Sequence, residues 1–149
     1  MTGRAEIFDR IKTLLNGQHF AVLATQGDEY PYCTLVGYAA SSGCEEIVFA
    51  TTRDTRKYQN LKKSPKVSML VDTRTNKVAD FKNAETLAAL GEAREIEESM
   101  LEEPLSIYLS KHPYLKEFVI APNCALIVIK VSKYILVNNF QNVMEYSML

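Results

Sequence analysis

The stretch FATTRDTRKYQNLKKSPKVSMLV, residues 49–71, determines the predicted fold because a cationic segment joins two apolar ones. The first apolar segment ends at residues 50–52, and the second begins just after a Ser-Pro pair. Between them, residues 53–66 carry six cations against one anion, Asp54. Good helix formers fill residues 54–64. The pattern therefore predicts a strand, a short crossing helix and a second strand.

Outward from this stretch, further short segments rich in β-forming residues predict more strands. Turn residues separate the segments, as in an antiparallel meander or barrel. The segment 85–97 is interrupted at Gly91 and has helical propensity as the alternative, and the last segment is long enough for one strand or two. The segments are residues 19–25, 32–40, 46–52, 66–72, 85–97 and 124–139. The sequence thus predicts a mainly β protein, a barrel of six or seven antiparallel strands.

Helical periodicity predicts peripheral helices around this barrel. Residues 4–16 place apolar side chains on one face, and Gly17 follows as a stop. A helical insertion is expected near residues 97–118. Residues 73–83 mix polar side chains with isolated apolar ones, so we expect an irregular and mobile connection there.

Length and composition limit the class of protein. The 149 residues are 47% hydrophobic and 23% charged, which suits one globular domain over residues 1–149. The apolar runs are too short to span a membrane, and the N-terminus lacks the apolar region of a signal peptide. We therefore expect a cytoplasmic protein without a membrane partner. The three cysteines and two histidines lack the spacing of metal ligands, so we expect no metal site.

The cationic segment is open to more than one interpretation. Arg56 and Lys57 lie in the first helical turn, where positive charge is unfavourable unless an anion compensates it. Hydroxyl groups of Thr51, Thr52 and Thr55 lie nearby, and the whole set fits a phosphate monoester. A solvated basic helix is the alternative. A nucleic-acid surface is not expected, because the charge is local and the net charge is −1.

Several segments of the chain also follow the motif order of a known family. They are FAVLAT, YPYCTLVGYA and EIVFATTRDTRKYQNLKKSPKVSMLVD, followed by LGEAREIE, YLSKHPYLKEFV and ALIVIKVSKYILV. In this order the chain resembles the flavin-binding split-barrel proteins related to pyridoxamine 5′-phosphate oxidase. The resemblance covers most of the chain, and its central segment is the most specific. It implies a six-stranded antiparallel split barrel that forms a homodimer, with FMN in a groove at the dimer interface.

The resemblance also implies which residues bind the cofactor. In such proteins the flavin phosphate lies on the basic helix start, which matches Arg56 and Lys57 here, with Thr52 and Thr55 nearby. The isoalloxazine ring lies along the second and third strands, and ordinary barrel core is the alternative role for the apolar positions there. The matching positions are Tyr32, Cys33, Thr34, Val36, Phe49, Ala50 and Thr51.

Two roles stay open at this site. Cys33 is a candidate redox thiol beside the groove, but a buried structural thiol is favoured because no neighbouring His or Lys is present to activate it. The sequence indicates no general acid or base, so the catalytic residues are unknown.

The function that the resemblance implies is that of an FMN-dependent oxidoreductase or flavin reductase-like protein, with a small-molecule electron donor or acceptor. The alternative is a non-catalytic protein that binds or carries a flavin, the deazaflavin F420 or haem. The family's true oxidases have a C-terminal substrate-binding segment with paired Arg and His, and haem-binding relatives usually have a C-terminal His. No cation follows Lys133, so pyridoxamine phosphate oxidation is not expected.

Overall fold

Antiparallel strands form a closed barrel in the computed structural model, which describes residues 3–149. Within these residues there are seven strands, in the order β3-β2-β1-β4-β5-β6-β7, and β3 also pairs with β6. The first six strands therefore close the barrel, and β7 extends one edge of β6. They are β1 (Phe20–Gln26), β2 (Pro31–Ala40), β3 (Glu46–Thr52), β4 (Lys66–Asp72), β5 (Glu85–Glu95), β6 (Cys124–Asn138) and β7 (Asn142–Ser147). This confirms the mainly β, six-stranded split barrel with peripheral helices.

Short helices surround the barrel. None of those in the described chain is long and apolar enough to cross a membrane. Two single 3₁₀ turns, at residues 98–100 and 113–115, complete the helical insertion. The helices are α1 (Arg4–Gly17), α2 (Arg56–Lys63), α3 (Asp80–Asn83), α4 (Glu102–Lys111) and α5 (Lys116–Ile120).

Helix α2, which connects β3 to β4, begins directly after its N-cap residue, Thr55. Thr55 precedes the helix in extended conformation, and its hydroxyl accepts a hydrogen bond from the backbone N–H of Tyr58. This is the usual geometry of a threonine N-cap, which satisfies one of the free amides of the first turn. Asp54 therefore lies outside the helix, and Arg56 and Lys57 occupy its first two positions.

The structure differs from the sequence prediction in the C-terminal half. The segment 124–139 forms one continuous strand, which is one of the two alternatives predicted, but the strand β7 that follows it was not predicted. The turn before β7 has positive φ angles at Asn139 and Phe140, of 49° and 59°. Such turns usually contain an Asn-Gly or similar pair, so Asn-Phe gave no hairpin signal. The connection 73–83 is also more structured than expected.

That connection is organised by one carboxylate. Asp80 accepts hydrogen bonds from the backbone N–H groups of Thr75, Asn76 and Lys77 and from the Thr75 hydroxyl. The hydrogen bond from the Thr75 hydroxyl is the largest cause that lowers the pKa of Asp80; desolvation opposes it, and the backbone N–H groups add to the lowering. The segment therefore has a defined turn, and its mobility stays a prediction.

Two layers of apolar side chains hold the elements in place. The interior contains fully buried residues of all six barrel strands, with α1 packed on it through Ile11, Leu14 and Leu15. A second layer lies on the outer face of β3 and β6, where α4 and α5 cover residues such as Val48 and Leu126. This outer layer places α4 and α5 beside the point where β2 and β3 separate.

Candidate functional site

A groove opens where β2 and β3 separate. The two strands pair only at three positions, Tyr38 with Phe49, Ala39 with Val48 and Ala40 with Ile47. Residues 35–37 of β2 and 50–52 of β3 face each other without pairing, and a groove of about 330 Å³ lies at this separation. This volume is at the lower end of the range of ligand pockets. The lining residues are Leu35, Val36, Gly37, Ala50, Thr51, Thr52, Thr55, Lys57, Tyr108, Leu115 and Phe118.

One end of the groove carries a cation, Lys57, that forms no ion pair with any of the residues 3–149. Lys57 is half-buried, and burial lowers the pKa of its ammonium group. Within the described chain, the ion pairs of this cationic segment are made by other residues. Glu95 pairs with Arg53 at 2.7 Å, and Asp28 pairs with Lys63 at 3.4 Å. The first turn of α2 also leaves two backbone N–H groups without helical acceptors. This end of the groove is therefore suited to an anion.

The threonine hydroxyls of the groove are engaged within the chain. The Thr51 and Thr55 hydroxyl oxygens lie 2.8 Å apart, and Thr55 donates to the Thr52 carbonyl at 3.0 Å. Thr52 in turn donates to an Asp54 carboxylate oxygen at 2.6 Å. The sequence indicated three hydroxyl donors for a phosphate, whereas these contacts show that the hydroxyls mainly shape the turn. The ammonium of Lys57 and the backbone amides remain as donors.

Arg56 lies in a neighbouring hollow of about 680 Å³ rather than in the groove lining. Its guanidinium carbon is 5.3 Å from the ring centre of Tyr32, within the range of a cation–π contact. Thr55 lines both cavities. Arg56 and Lys57, which were both expected to bind one phosphate, therefore lie in two different cavities that share Thr55.

The strand residues expected along a flavin ring divide between faces. Val36, Ala50 and Thr51 line the groove, together with Thr52. Phe49 does not, because its side chain is fully buried in the barrel core. Thr34 and Cys33 are also absent from the groove lining, and the expected burial of Cys33 is wrong, because its side chain is exposed on β2. The groove lies at the separated edges of the two strands, so it takes in residues 35–37 and 50–52, whereas strand residues outside these runs do not line it.

Sequence reasoning missed one wall of the groove. Tyr108 of α4, Leu115 and Phe118 come from the insertion after β5. Their sequence, SIYLSKHPYLKEFV, shows helical propensity and a Pro boundary but no signal that it packs against β2 and β3. Only the tertiary contact of α4 with these strands brings them to the site.

The sequence of residues 7–138 matches the family model described as pyridoxamine 5′-phosphate oxidase. The match covers well over half of the chain, so the protein belongs to the pyridoxamine 5′-phosphate oxidase-related split-barrel family. Proteins of this family commonly bind FMN. Among curated proteins, no sequence matches this chain significantly.

Solved structures share the fold at low sequence identity. A haem-binding protein from Mycobacterium smegmatis has a TM-score of 0.80 and 17% identity over 91% of this chain, which spans 55% of that protein. A putative pyridoxamine 5′-phosphate oxidase from Listeria innocua has a TM-score of 0.70 and 15% identity, over 89% of this chain and 99% of that one. Campylobacter jejuni ChuZ has a TM-score of 0.83 and 11% identity, over 99% of this chain and 62% of that one.

Proposed function

We propose that the protein is an FMN-binding oxidoreductase or flavin reductase-like protein. The observation that carries the proposal is Lys57, a half-buried cation in the groove that makes no ion pair within residues 3–149. The groove has this cationic end and apolar side chains, including Leu35, Leu115 and Phe118. FMN combines a phosphate dianion with a planar ring, and so matches both features.

The chain's own residues would hold the cofactor and limit its access to water. Lys57 and the first amides of α2 would bind the phosphate. The facing backbone of residues 35–37 and 50–52, unpaired between the two strands, would offer hydrogen bonds to the ring edge. When bound, FMN would supply the hydride or electron transfer. Leu35 and Phe118 are 63% and 42% exposed, so a small-molecule electron donor or acceptor could reach the groove.

Reduction of bound flavin distinguishes an enzyme from a binding protein. We expect NADH or NADPH to reduce the FMN complex faster than free FMN, because a fixed ring and an open face favour a reactive geometry. Stopped-flow absorbance measures the rate, and a panel of acceptors then tests reoxidation. A rate no higher than that of free FMN would favour the non-catalytic alternative, a flavin carrier.

We further propose that a second copy of the chain covers the apolar outer face of β1, β2 and β4. Phe20, Leu35 and Leu70 lie on this face and are 62%, 63% and 37% exposed. Val22 stands opposite both Leu35 and Leu70 in the strand register, which makes the face continuous. Large exposed apolar faces commonly mark interfaces. Because Leu35 also lines the groove, the flavin would lie beside the interface of a homodimer.

Substitution on this face tests the dimer. Light scattering of the native protein should give about twice the chain mass of 16.8 kDa. Phe20→Glu should shift the protein towards the monomer, because the interface would bury an unpaired charge. Val78→Glu is the matched control, since Val78 is 83% exposed but lies in the connection before α3. A native monomer, or a dimer unaffected by Phe20→Glu, would contradict the assignment.

Haem binding is the second candidate, and the named haem-binding protein from Mycobacterium smegmatis favours it. The groove itself supports it less well. His112 is buried with both ring nitrogens in hydrogen bonds, to the Tyr38 carbonyl and the Tyr114 hydroxyl. His19 is exposed and does not line the groove. Neither histidine therefore offers a free ligand nitrogen to a haem iron in the groove, and FMN is the better match. Deazaflavin F420 remains the other alternative ligand.

A further inference from the structure

Tyr108 brings a hydroxyl without a protein partner to the wall of the groove. Its side chain is 2% exposed and belongs to the groove lining. Across the described residues, no side-chain hydrogen bond involves this hydroxyl. Among the described residues, the fully buried side-chain atoms without a partner are Glu85 Oε2 and Asn138 Oδ1, so the Tyr108 oxygen is open to the groove and available to a bound molecule. The tyrosine hydroxyls that do have partners are those of Tyr38, Tyr58, Tyr114 and Tyr134.

Gly37 keeps the space beside this hydroxyl open. A Cβ atom at Gly37 would lie 3.8 Å from the Tyr108 hydroxyl oxygen and 3.9 Å from Cε1 of His112. Both distances are ordinary contacts, so a methyl group would fit against α4 but would occupy part of the groove. Gly37 itself lines the groove. The absence of a side chain at this position therefore exposes the hydroxyl to a bound ligand.

The neighbouring histidine fixes the tyrosine ring but does not satisfy its hydroxyl. The rings of Tyr108 and His112 lie 5.0 Å apart between centres. His112 Nε2 is 2.7 Å from the Tyr38 carbonyl, so Nε2 carries the proton and donates it. Nδ1 then accepts from the Tyr114 hydroxyl at 3.1 Å. With both nitrogens engaged, His112 packs against Tyr108 and leaves its hydroxyl free.

The hydroxyl remains a hydrogen-bond donor at neutral pH. Burial, and secondarily the nearby Cys124 thiol, raises the pKa of Tyr108 to about 12.

The Tyr108 hydroxyl and the Lys57 ammonium lie at different positions along the groove. Gly37, which lies beside the Tyr108 hydroxyl, is next to Tyr38, the residue at which β2 begins to pair with β3. Lys57 comes after Thr52, the last residue of β3, at the other end of the groove. Roughly 7 Å of strand, two residues, separates the level of Gly37 from that of Thr52.

We propose that the Tyr108 hydroxyl donates a hydrogen bond to an acceptor atom on the planar ring of the bound flavin, at the end of the groove opposite the phosphate. This inference rests on the proposed function and extends it to a residue that contacts the ring. It assigns recognition of the two parts of the cofactor to two different elements: α2 for the phosphate and α4 for the ring.

The test compares FMN with riboflavin, which has the ring but not the phosphate. Tyr108→Phe removes one neutral hydrogen bond and should weaken binding of both flavins equally, by about 3- to 10-fold. Lys57→Ala should weaken FMN binding and leave riboflavin binding nearly unchanged. The absorption spectrum of the bound flavin should also shift in Tyr108→Phe, because a ring acceptor loses its donor. A disturbance of the fold would also weaken both flavins, so the spectral shift and an undiminished melting temperature of ligand-free Tyr108→Phe are the readouts that identify a direct contact.

Tyr134→Phe is the matched control. The Tyr134 hydroxyl donates to the Cys44 carbonyl at 2.8 Å inside the core. Its removal should lower the melting temperature and leave flavin affinity unchanged. Tyr108→Phe should leave the melting temperature of the ligand-free protein equal or higher, because the lost hydroxyl had no protein partner. Gly37→Ala is the second variant, and its methyl group should weaken both flavins while the protein stays folded.

The outcomes separate this inference from the proposed function. Unchanged affinity for both flavins in Tyr108→Phe and Gly37→Ala would overturn the role of Tyr108, while a phosphate-dependent loss in Lys57→Ala would leave FMN binding supported. A loss for FMN alone in Tyr108→Phe would place the hydroxyl on the phosphate and also overturn the inference. If the native protein bound neither flavin, the inference and the proposed function would fail together.

Discussion

Replacement of Lys57 by alanine is expected to weaken FMN binding by about 10- to 100-fold, because a hydrogen bond to a charged group contributes roughly 1.5–3 kcal/mol. Lys57 lines the groove at the start of α2, and its ammonium is half-buried. Titration by flavin fluorescence or calorimetry measures the loss. Lys62→Ala is the matched control, since Lys62 lies about one and a half turns further along α2 and outside the groove lining.

Arg56→Ala should cause a smaller loss than Lys57→Ala. The sequence favoured Arg56 as the main contact, because its guanidinium can bind two phosphate oxygens at once. The structure places that side chain against Tyr32 in the neighbouring hollow, from which it would reach a phosphate only across Thr55. If the Arg56→Ala, Lys57→Ala double variant bound FMN as tightly as the native protein, the phosphate assignment would be wrong.

The same contact predicts how FMN affinity depends on pH. Burial lowers the pKa of Lys57, and only the protonated ammonium attracts the phosphate. FMN affinity should therefore fall as pH rises through this lowered pKa, at a lower pH than for an exposed lysine. Lys57→Ala should remove that alkaline decrease. A native affinity that falls only where exposed lysines titrate would contradict the role of a buried ammonium.

Gly91→Ala is expected to cause the largest loss of stability among the glycine variants, about 1–3 kcal/mol of unfolding free energy, the usual cost of overpacking. A Cβ atom there would lie 2.3 Å from the Lys130 carbonyl oxygen and 2.9 Å from Cγ2 of Ile129. The register of β5 against β6 shifts between Leu90 and Gly91, which brings the two backbones close together. Neither backbone can move without disturbing a strand pair that closes the barrel.

Chemical denaturation of Gly91→Ala and Gly17→Ala measures this effect. Gly17 ends α1, and a Cβ atom there would meet nothing within 4 Å. Gly17→Ala should therefore be neutral or slightly stabilising, because alanine restricts the unfolded chain and suits a helix. If Gly91→Ala were as stable as the native protein, the close approach of β5 and β6 would not constrain this position.

The strands of the barrel could be predicted from the sequence because their signal is local. Runs such as EIVFATT and KVSMLVD combine β-branched residues with flanking turn residues, and their bounds agree with β3 and β4. The strand β7 lacked that signal because its turn uses Asn139 and Phe140, which are not the usual turn pair. Local sequence thus predicts an element well only when both the element and its turn are conventional.

The candidate site could be predicted only in part, because neighbours in sequence need not face the same cavity. Consecutive residues of a helix point about 100° apart, so Arg56 and Lys57 line different cavities. Side chains along β2 and β3 alternate between faces, which places Phe49 in the core and Ala50 in the groove. The third wall depends on how α4 packs against β2, a contact between residues about 70 positions apart that no local pattern indicates.

The central claim is that the groove between β2 and β3 binds FMN, and the cofactor of the purified protein tests it most directly. Absorption spectroscopy of the protein as isolated, followed by mass spectrometry of the released ligand, identifies that cofactor. We predict the absorption spectrum of an oxidised flavin and the mass of FMN, with Lys57→Ala protein isolated largely without it. Isolation with haem or a deazaflavin instead, or FMN retained equally by Lys57→Ala, would contradict the account.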